Sequence, residues 1–248
     1  MRASENYDGR GPYAVKNTQA GPGCAIFRPI DLGDRKHPVI LWGNATNTMP
    51  AIYGPMLNQW ASHGFIVAAA ITGQAGTGRE MLGCLDWLEK ENAREGSVFK
   101  GAVDLAHVGA SGHSQGGTGA IMAGRDPRVT ATAPIQPYTT GVKYEQGVEA
   151  RQNGPMLLLS GGADQVADPA RNQAPVFEGA NVAVVWATLK GAGHSTPSTR
   201  DNGAYRPVTT AWFLYRLMDD AKAAAMFEGA RRGYCVDPAW AIRTKNPR

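Results

Sequence analysis

Short apolar runs alternate with stretches of helical periodicity along most of this 248-residue chain. The runs have the near-continuous hydrophobicity of strands buried on both faces of a parallel sheet. They predict strands at residues 24–29, 39–42, 65–71, 103–110, 129–135, 155–160 and 181–189. Between them, apolar positions recur at helical spacing, as at Met81, Leu82, Leu85 and Leu88. This spacing predicts helices at residues 52–64, 79–94, 114–124, 203–218 and 219–231.

Strands that alternate with helices predict an α/β fold, with a mostly parallel central sheet and helices on both of its faces. The chain has no internal repeat, low-complexity tract or linker, so we expect one domain over residues 1–248. The first 23 residues are polar and rich in glycine and proline, and we interpret them as an extended N-terminal segment.

A Gly-His-Ser-Gln-Gly motif at residues 112–116 lies between a predicted strand and a predicted helix. This is the context of a nucleophile elbow, a turn that exposes a serine hydroxyl at the carboxyl end of a strand. Such a turn leaves no room for side chains at its two flanking positions, where Gly112 and Gly116 stand. The motif predicts Ser114 as a nucleophile and the backbone N–H of Gln115 as an oxyanion donor. The backbone N–H of Asn44, on the loop after an early strand, is the best candidate for the second donor.

A serine hydroxyl needs a base within hydrogen-bond reach, and that base needs a carboxylate to orient it. In sheets of this type the three residues follow the order Ser, Asp or Glu, His, each on a loop after a strand. Ser114, Asp164 and His194 satisfy both the order and the positions, and we predict that they form a catalytic triad.

The other histidines and aspartates fit less well. His37 and His107 begin strands and therefore belong to the opposite end of the sheet, and His63 lies at the end of a helix. His113 is expected to pack against the sheet, and Asp168 is the alternative acid.

The composition of the chain argues against several classes of protein. Hydrophobic residues make up 43% of the chain and charged residues 19%, which is typical of a globular enzyme and argues against disorder. The net charge is +4, but the basic residues are scattered, so a nucleic-acid interface is not expected.

The sequence also lacks the motifs of membrane and cofactor-binding proteins. No apolar run is long enough for a membrane span. No metal-binding or phosphate-binding motif occurs, so we expect no cofactor. The N-terminus lacks an apolar signal core, so the chain is expected to be cytoplasmic or the mature form of a secreted protein. Cys24, Cys84 and Cys235 allow one disulfide, with three possible pairings.

With these residues in place, most of the chain, from about Gly11 to Cys235, resembles the cutinase-like polyester hydrolases, which include poly(ethylene terephthalate) hydrolases. The resemblance rests on the elbow and on several shorter stretches, at residues 43–46, 60–67, 133–138, 162–167 and 193–195. It implies the α/β-hydrolase fold, an ester or polyester substrate, a monomer, and a secreted or periplasmic location.

The resemblance also implies roles for particular residues. Asn44 takes the position of the family's oxyanion residue, and Gln115 a position where methionine is usual. Tyr138 takes the place of an aromatic residue beside the cleft, and Val166 that of an apolar residue lining the acyl site. With polar residues at several of these positions, we expect a more polar cleft than the family norm. The family often fixes its C-terminus with a disulfide. Here Cys235 corresponds to the first cysteine of that bond. Either Cys24 or Cys84 is its substitute partner, or the bond is absent.

The predicted function is a serine carboxylic-ester hydrolase with an open cleft, since no insertion between the strands at 129–135 and 155–160 is long enough for a lid. A small-molecule esterase or dienelactone-type hydrolase is the alternative within enzymes. A catalytically silent binding module with the same fold is the alternative outside them.

Overall fold

Six parallel strands form the centre of a nine-stranded sheet in the computed structural model, which describes residues 7–141, 143–229 and 233–246. The strands are β1 (Val15–Ala20), β2 (Cys24–Pro29), β3 (His37–Gly43), β4 (Ile66–Ala70), β5 (Val103–His113), β6 (Ala131–Ile135), β7 (Met156–Gly161), β8 (Val184–Leu189) and β9 (Trp240–Lys245). Their order across the sheet is β1-β2-β4-β3-β5-β6-β7-β8-β9. The outer pairs β1–β2, β2–β4 and β8–β9 are antiparallel, and the pairs from β4 to β8 are parallel. The parallel strands therefore end at one edge, where the site described below lies.

Helices cover both faces of the sheet, as predicted. They are α1 (Gly54–Ser62), α2 (Arg79–Ala93), α3 (Gln115–Ala123), α4 (Pro169–Asn172), α5 (Ala174–Gly179), α6 (Tyr205–Met218), α7 (Ala221–Ala224) and α8 (Gly233–Val236). Helices α1 and α6 pack their apolar sides on one face of the sheet, and α2 and α3 pack on the other. In α2 the predicted helical stripe is fully buried at Met81, Leu85 and Leu88, whereas Leu82 is half-buried. None of the helices in the described ranges is long and apolar enough to cross a membrane.

The two edge strands, β1 and β9, were not predicted from the sequence. Residues 15–20 were interpreted as part of an extended segment, but they pair antiparallel with β2 along their whole length. Four of the six β1 side chains are exposed, and β9 alternates between buried, half-buried and exposed positions. An edge strand faces solvent over much of its surface and so lacks the apolar run by which a central strand is recognised.

The end of the chain also differs from the prediction. The helix expected at residues 219–231 is limited to α7, and residues 225–229 form turns. Residues 230–232 lie outside the described ranges.

A disulfide joins Cys24 of β2 to Cys84 of α2 and ties the sheet to the helix that covers it. This selects one of the three pairings that the sequence leaves open. Of the two alternatives for Cys235, a bond to Cys24 or Cys84 is therefore wrong, because both of these cysteines are used in this disulfide. The two cysteines are buried at the interface between strand and helix, whereas Cys235 is exposed on α8.

Removal of this disulfide should destabilise the protein substantially. The bond closes a loop with a sequence separation of 60 residues, and its loss should lower the free energy of unfolding by about 4 kcal/mol through the entropy of the unfolded chain. Urea denaturation of the Cys24→Ala/Cys84→Ala variant measures this change, with Cys235→Ser as the control. An unchanged denaturation midpoint in the double variant would show that the bond does not contribute to stability.

Candidate active site

Ser114 lies at the tip of a tight turn between β5 and α3. Its backbone has φ 55° and ψ −117°, a conformation that is costly for a residue other than glycine, by about 1–3 kcal/mol. The turn is possible because backbone segments meet closely at the flanking glycines. A Cβ atom on Gly116 would lie 2.0 Å from the carbonyl oxygen of Gly43, and one on Gly112 would lie 2.2 Å from that of Gly116. The elbow predicted from the sequence is therefore present, with glycine required at both positions by space.

The structure brings the three predicted triad residues together in a hydrogen-bonded chain. Asp164 follows β7 and His194 follows β8, so both lie at the same edge of the sheet as Ser114. The Nδ1 atom of His194 is 2.7 Å from Oδ2 of Asp164, and its Nε2 atom is 2.9 Å from Oγ of Ser114. Because a carboxylate only accepts hydrogen bonds, Nδ1 carries the hydrogen and Nε2 presents a lone pair to the serine hydroxyl. This arrangement can remove the serine proton as the hydroxyl attacks an electrophile.

Asp164 is held in its ionised form by its surroundings. Its carboxylate is inaccessible to solvent, and its Oδ1 atom accepts hydrogen bonds from the backbone amides of Val166 (2.9 Å) and Ala167 (2.8 Å). Burial alone would raise the pKa of Asp164, but the hydrogen bonds from His194 and the two amides outweigh burial and lower the pKa below its ordinary value. A permanently charged carboxylate can stabilise the imidazolium that forms when His194 takes a proton.

The predicted oxyanion residues border the elbow. Gln115 is the first residue of α3, so its amide has no carbonyl one turn earlier in the helix and remains free for a ligand. Asn44 follows β3, and its backbone lies against Gly116. The amides of Gln115 and Asn44 therefore come from two segments that the glycines bring into contact.

The side chain of Asn44 corrects one expectation. It does not make the cleft more polar, because it is fully buried and turned inward. Its Oδ1 atom accepts a hydrogen bond from Trp42, and its Nδ2 atom donates to the carbonyls of Ala70 and Thr72. Asn44 thus joins the ends of β3 and β4. The Gln115 side chain lies against Gly76, with its Oε1 atom buried.

Two exposed apolar side chains, those of Tyr138 and Val166, form a rim beside the triad. Tyr138 and Val166 are 39% and 58% exposed. The backbone of Tyr138 donates to the carbonyl of Ser114, and that of Val166 to Asp164, so both side chains are fixed beside the triad. Met49 and Ile52, on the connection between β3 and α1, are 50% and 42% exposed. This connection contains a short 3₁₀ helix, Pro50–Tyr53, which packs against the segment Thr196–Ser198 that follows His194.

The other histidines and aspartates that the sequence offered for the triad lie away from it or have other hydrogen-bond partners. His37 bonds the carbonyls of Gly64 and Leu32, and His107 pairs with Asp104, both at the opposite end of the sheet as predicted. Asp168 is not in the triad, because its carboxylate caps α4 by accepting from the amide of Arg171. Within the described ranges, no group of three or more His, Cys, Asp or Glu side chains is arranged to hold a metal ion.

Comparison with known proteins shows the family of the chain. A model of the PET hydrolase-like family matches residues 6–233, which is most of the chain. The chain belongs to the PET hydrolase-like family. It is also similar to a bis(hydroxyethyl) terephthalate hydrolase of Streptomyces coelicolor, with 26% identity over 229 residues that cover 85% of this chain and 69% of that protein.

Membership of this family confirms the resemblance on which the sequence prediction relied. It also identifies the mostly parallel sheet, with its flanking helices, as an α/β-hydrolase fold. The connection from β6 to β7, where an inserted lid would lie, holds only a single 3₁₀ turn, Val148–Arg151, in its described part.

A group of polar residues packs together beside the triad, and the sequence did not predict this group. His113 is buried and packs as predicted, but it packs against the ring of His194, with ring centroids 4.9 Å apart. Burial, and then the proximity of His194, lower the pKa of His113 to about 3, so it is neutral. Its polar neighbours are Tyr53, Gln136 and Ser198, none of which the sequence singled out. They lie on different loops, and no local pattern marks residues that meet only in the folded chain.

Proposed function

We propose that this protein is a serine ester hydrolase that cleaves terephthalate esters and polyesters through an acyl-enzyme on Ser114. The observation that carries the proposal is the continuous hydrogen-bonded chain from Ser114 through His194 to the buried Asp164. Family membership supports the ester substrate, and the relative that acts on bis(hydroxyethyl) terephthalate supports the aromatic acyl group.

The first half of the reaction forms the acyl-enzyme. The Oγ atom of Ser114 attacks the ester carbonyl carbon while its proton passes to Nε2 of His194. Charge develops on the carbonyl oxygen, which accepts hydrogen bonds from the amides of Asn44 and Gln115. The C–O bond to the alcohol then breaks, and the imidazolium of His194 donates its proton to the leaving oxygen.

The second half releases the acid. Water attacks the acyl carbon as it gives a proton to Nε2 of His194, and the same two amides hold the second oxyanion. The bond to Oγ breaks, and Ser114 recovers its proton from His194. Asp164 stays ionised throughout, keeps the imidazole in the required tautomer and stabilises its cation.

The apolar rim supports a bulky or polymeric substrate. Tyr138 and Val166 expose apolar surface beside the triad, to which their backbone amides are hydrogen-bonded. Apolar surface that is concentrated at one site commonly marks a binding surface, and an aromatic polyester chain has little polar surface of its own.

Truncation of the rim should separate polymer hydrolysis from simple ester hydrolysis. In the Tyr138→Ala/Val166→Ala variant, we expect about tenfold less product from an amorphous poly(ethylene terephthalate) film, because partial burial of an apolar side chain contributes on the order of 1–2 kcal/mol. Turnover of p-nitrophenyl butyrate should fall less than film hydrolysis, since this small ester has only its short acyl chain to place against Val166.

Val98→Ala is the matched control, because Val98 is equally exposed but lies between α2 and β5, away from the triad. Three outcomes distinguish the candidate functions. Activity on film and soluble ester supports the proposal. Activity on the soluble ester alone identifies a small-molecule esterase or a dienelactone-type hydrolase. Inactivity on both, and on bis(hydroxyethyl) terephthalate, favours a silent binding module.

We also infer that the protein works in an oxidising compartment outside the cytoplasm. The Cys24–Cys84 disulfide supports this location, because such bonds persist in secreted and periplasmic proteins and are rare in the cytosol.

A further inference from the structure

The hydroxyl of Tyr53 lies where three loops of the candidate active site meet. Tyr53 ends the 3₁₀ helix Pro50–Tyr53, is fully buried, and packs its ring against Trp42, with centroids 4.7 Å apart. Its hydroxyl oxygen is 2.9 Å from Nδ1 of His113 on the elbow and 3.4 Å from Oγ of Ser198 on the segment after His194. It is also 3.5 Å from Oγ1 of Thr48, on the loop that starts with the oxyanion residue Asn44.

Gln136, which comes directly after β6, lies beside this network. Its Nε2 atom donates to the carbonyl of Gly193, so its Oε1 atom is left as an acceptor. The Gln136 side chain lies beside His113 and favours the protonated imidazole. Within the described ranges, Oε1 of Gln136 and Nε2 of His113 are both buried without a hydrogen-bond partner. The hydroxyl of Ser198 donates to the oxygen of Tyr53, so the hydrogen of Tyr53 is directed to its nearest neighbour, Nδ1 of His113. Nδ1 therefore accepts this hydrogen bond, and the hydrogen of the neutral His113 resides on Nε2.

This network supports His194 from two directions. The His113 ring lies against the His194 ring at an interplanar angle of 41°. Gln136 holds the carbonyl of Gly193, the residue before His194, and Ser198 donates to Tyr53 from four residues after it. A ring that is packed on one face and anchored at both ends of its loop cannot rotate away from Ser114 without breaking these contacts.

We propose that Tyr53 is a positioning residue, whose hydroxyl joins the elbow to the His194 loop and so keeps the imidazole aligned on Ser114. This inference rests on the proposed function, because it concerns the same base. Tyr53 contacts neither Ser114 nor His194 in the described hydrogen bonds, so it acts through His113 and Ser198.

The test is the Tyr53→Phe variant, which removes one oxygen atom and keeps the ring. We expect kcat for p-nitrophenyl butyrate to fall about 10- to 100-fold, the range that follows from a small misplacement of a catalytic group. KM should stay within about twofold, because the acyl pocket is unchanged. The His113→Phe variant keeps a ring against His194 but breaks the same link. The double variant should therefore cost no more than the larger single effect.

Tyr234→Phe is the matched control, since Tyr234 is also a buried tyrosine but packs between Phe227 and Trp240, away from the site. An unchanged kcat in Tyr53→Phe, additive effects of Tyr53→Phe and His113→Phe, or an equal loss in Tyr234→Phe would overturn the inference. If Tyr53→Phe does not fold, Ser198→Ala removes the other end of the link, and an unchanged kcat there would overturn it too. A wild-type protein inactive on every ester would refute the proposed function, and this inference with it.

Discussion

Replacement of Ser114 by alanine should lower kcat for p-nitrophenyl butyrate on the order of 10⁶-fold, as loss of the nucleophile does in other serine hydrolases. The residual rate should be that of water attack on a substrate still bound near the amides of Asn44 and Gln115. No other hydroxyl is hydrogen-bonded to His194 in the described part of the chain, so no second serine can take over the attack.

The fold should survive this substitution, because the strained φ of 55° is the same for alanine and serine. Circular dichroism and the denaturation midpoint check this point. Ser97→Ala is the control variant, because Ser97 is nearly buried and hydrogen-bonded to Glu91 but lies on the loop between α2 and β5. Near-normal turnover by Ser114→Ala would show that the hydrolysis does not use this serine.

Replacement of Asp164 by asparagine should lower kcat about 10⁴-fold, the effect seen when a triad carboxylate is converted to its amide. The Oδ1 atom can still accept from the amides of Val166 and Ala167, so the loop should keep its shape. The new amide nitrogen, however, would donate to Nδ1 of His194. This would move the imidazole hydrogen to Nε2, and the base would then face Ser114 with a hydrogen in place of a lone pair.

Asp168→Asn provides a matched control on the same loop. Asp168 is the alternative acid from the sequence, but it caps α4, a role that asparagine performs equally well. Its variant should retain wild-type turnover. A large loss in Asp168→Asn together with an active Asp164→Asn would reverse the assignment of the acid.

The candidate site was largely predictable because its residues are tied to strand ends. Ser114, Asp164 and His194 each follow a continuous apolar run, and parallel strands bring such positions to one edge of the sheet. The glycines at 112 and 116 mark the turn locally, since their space is already occupied by backbone. The positions of these residues are therefore encoded in short stretches of sequence.

The network of residues that supports His194 was not predictable, because short stretches of sequence do not mark its members. Tyr53, His113, Gln136 and Ser198 are separated by between 23 and 145 residues along the chain, and their relation depends on how four loops pack. The inward orientation of the Asn44 side chain was not predictable either, because it also depends on residues that meet only in the folded chain. Its partners Trp42, Ala70 and Thr72 belong to the ends of two neighbouring strands, so its side chain became structural while its backbone remained beside the elbow. The polar edge strands β1 and β9 were missed because pairing partners, rather than their own composition, make them strands.

The most direct test of the account is to find where a covalent intermediate forms. The wild-type protein is treated with a fluorophosphonate, which phosphonylates activated serines, and the labelled peptide is identified by mass spectrometry as activity is followed. We expect one phosphonyl group per chain, on Ser114, with activity lost in proportion to labelling, and no adduct in Ser114→Ala. An active enzyme that takes up no label, or that is inactivated by label on another residue, would contradict the proposal that Ser114 is the nucleophile.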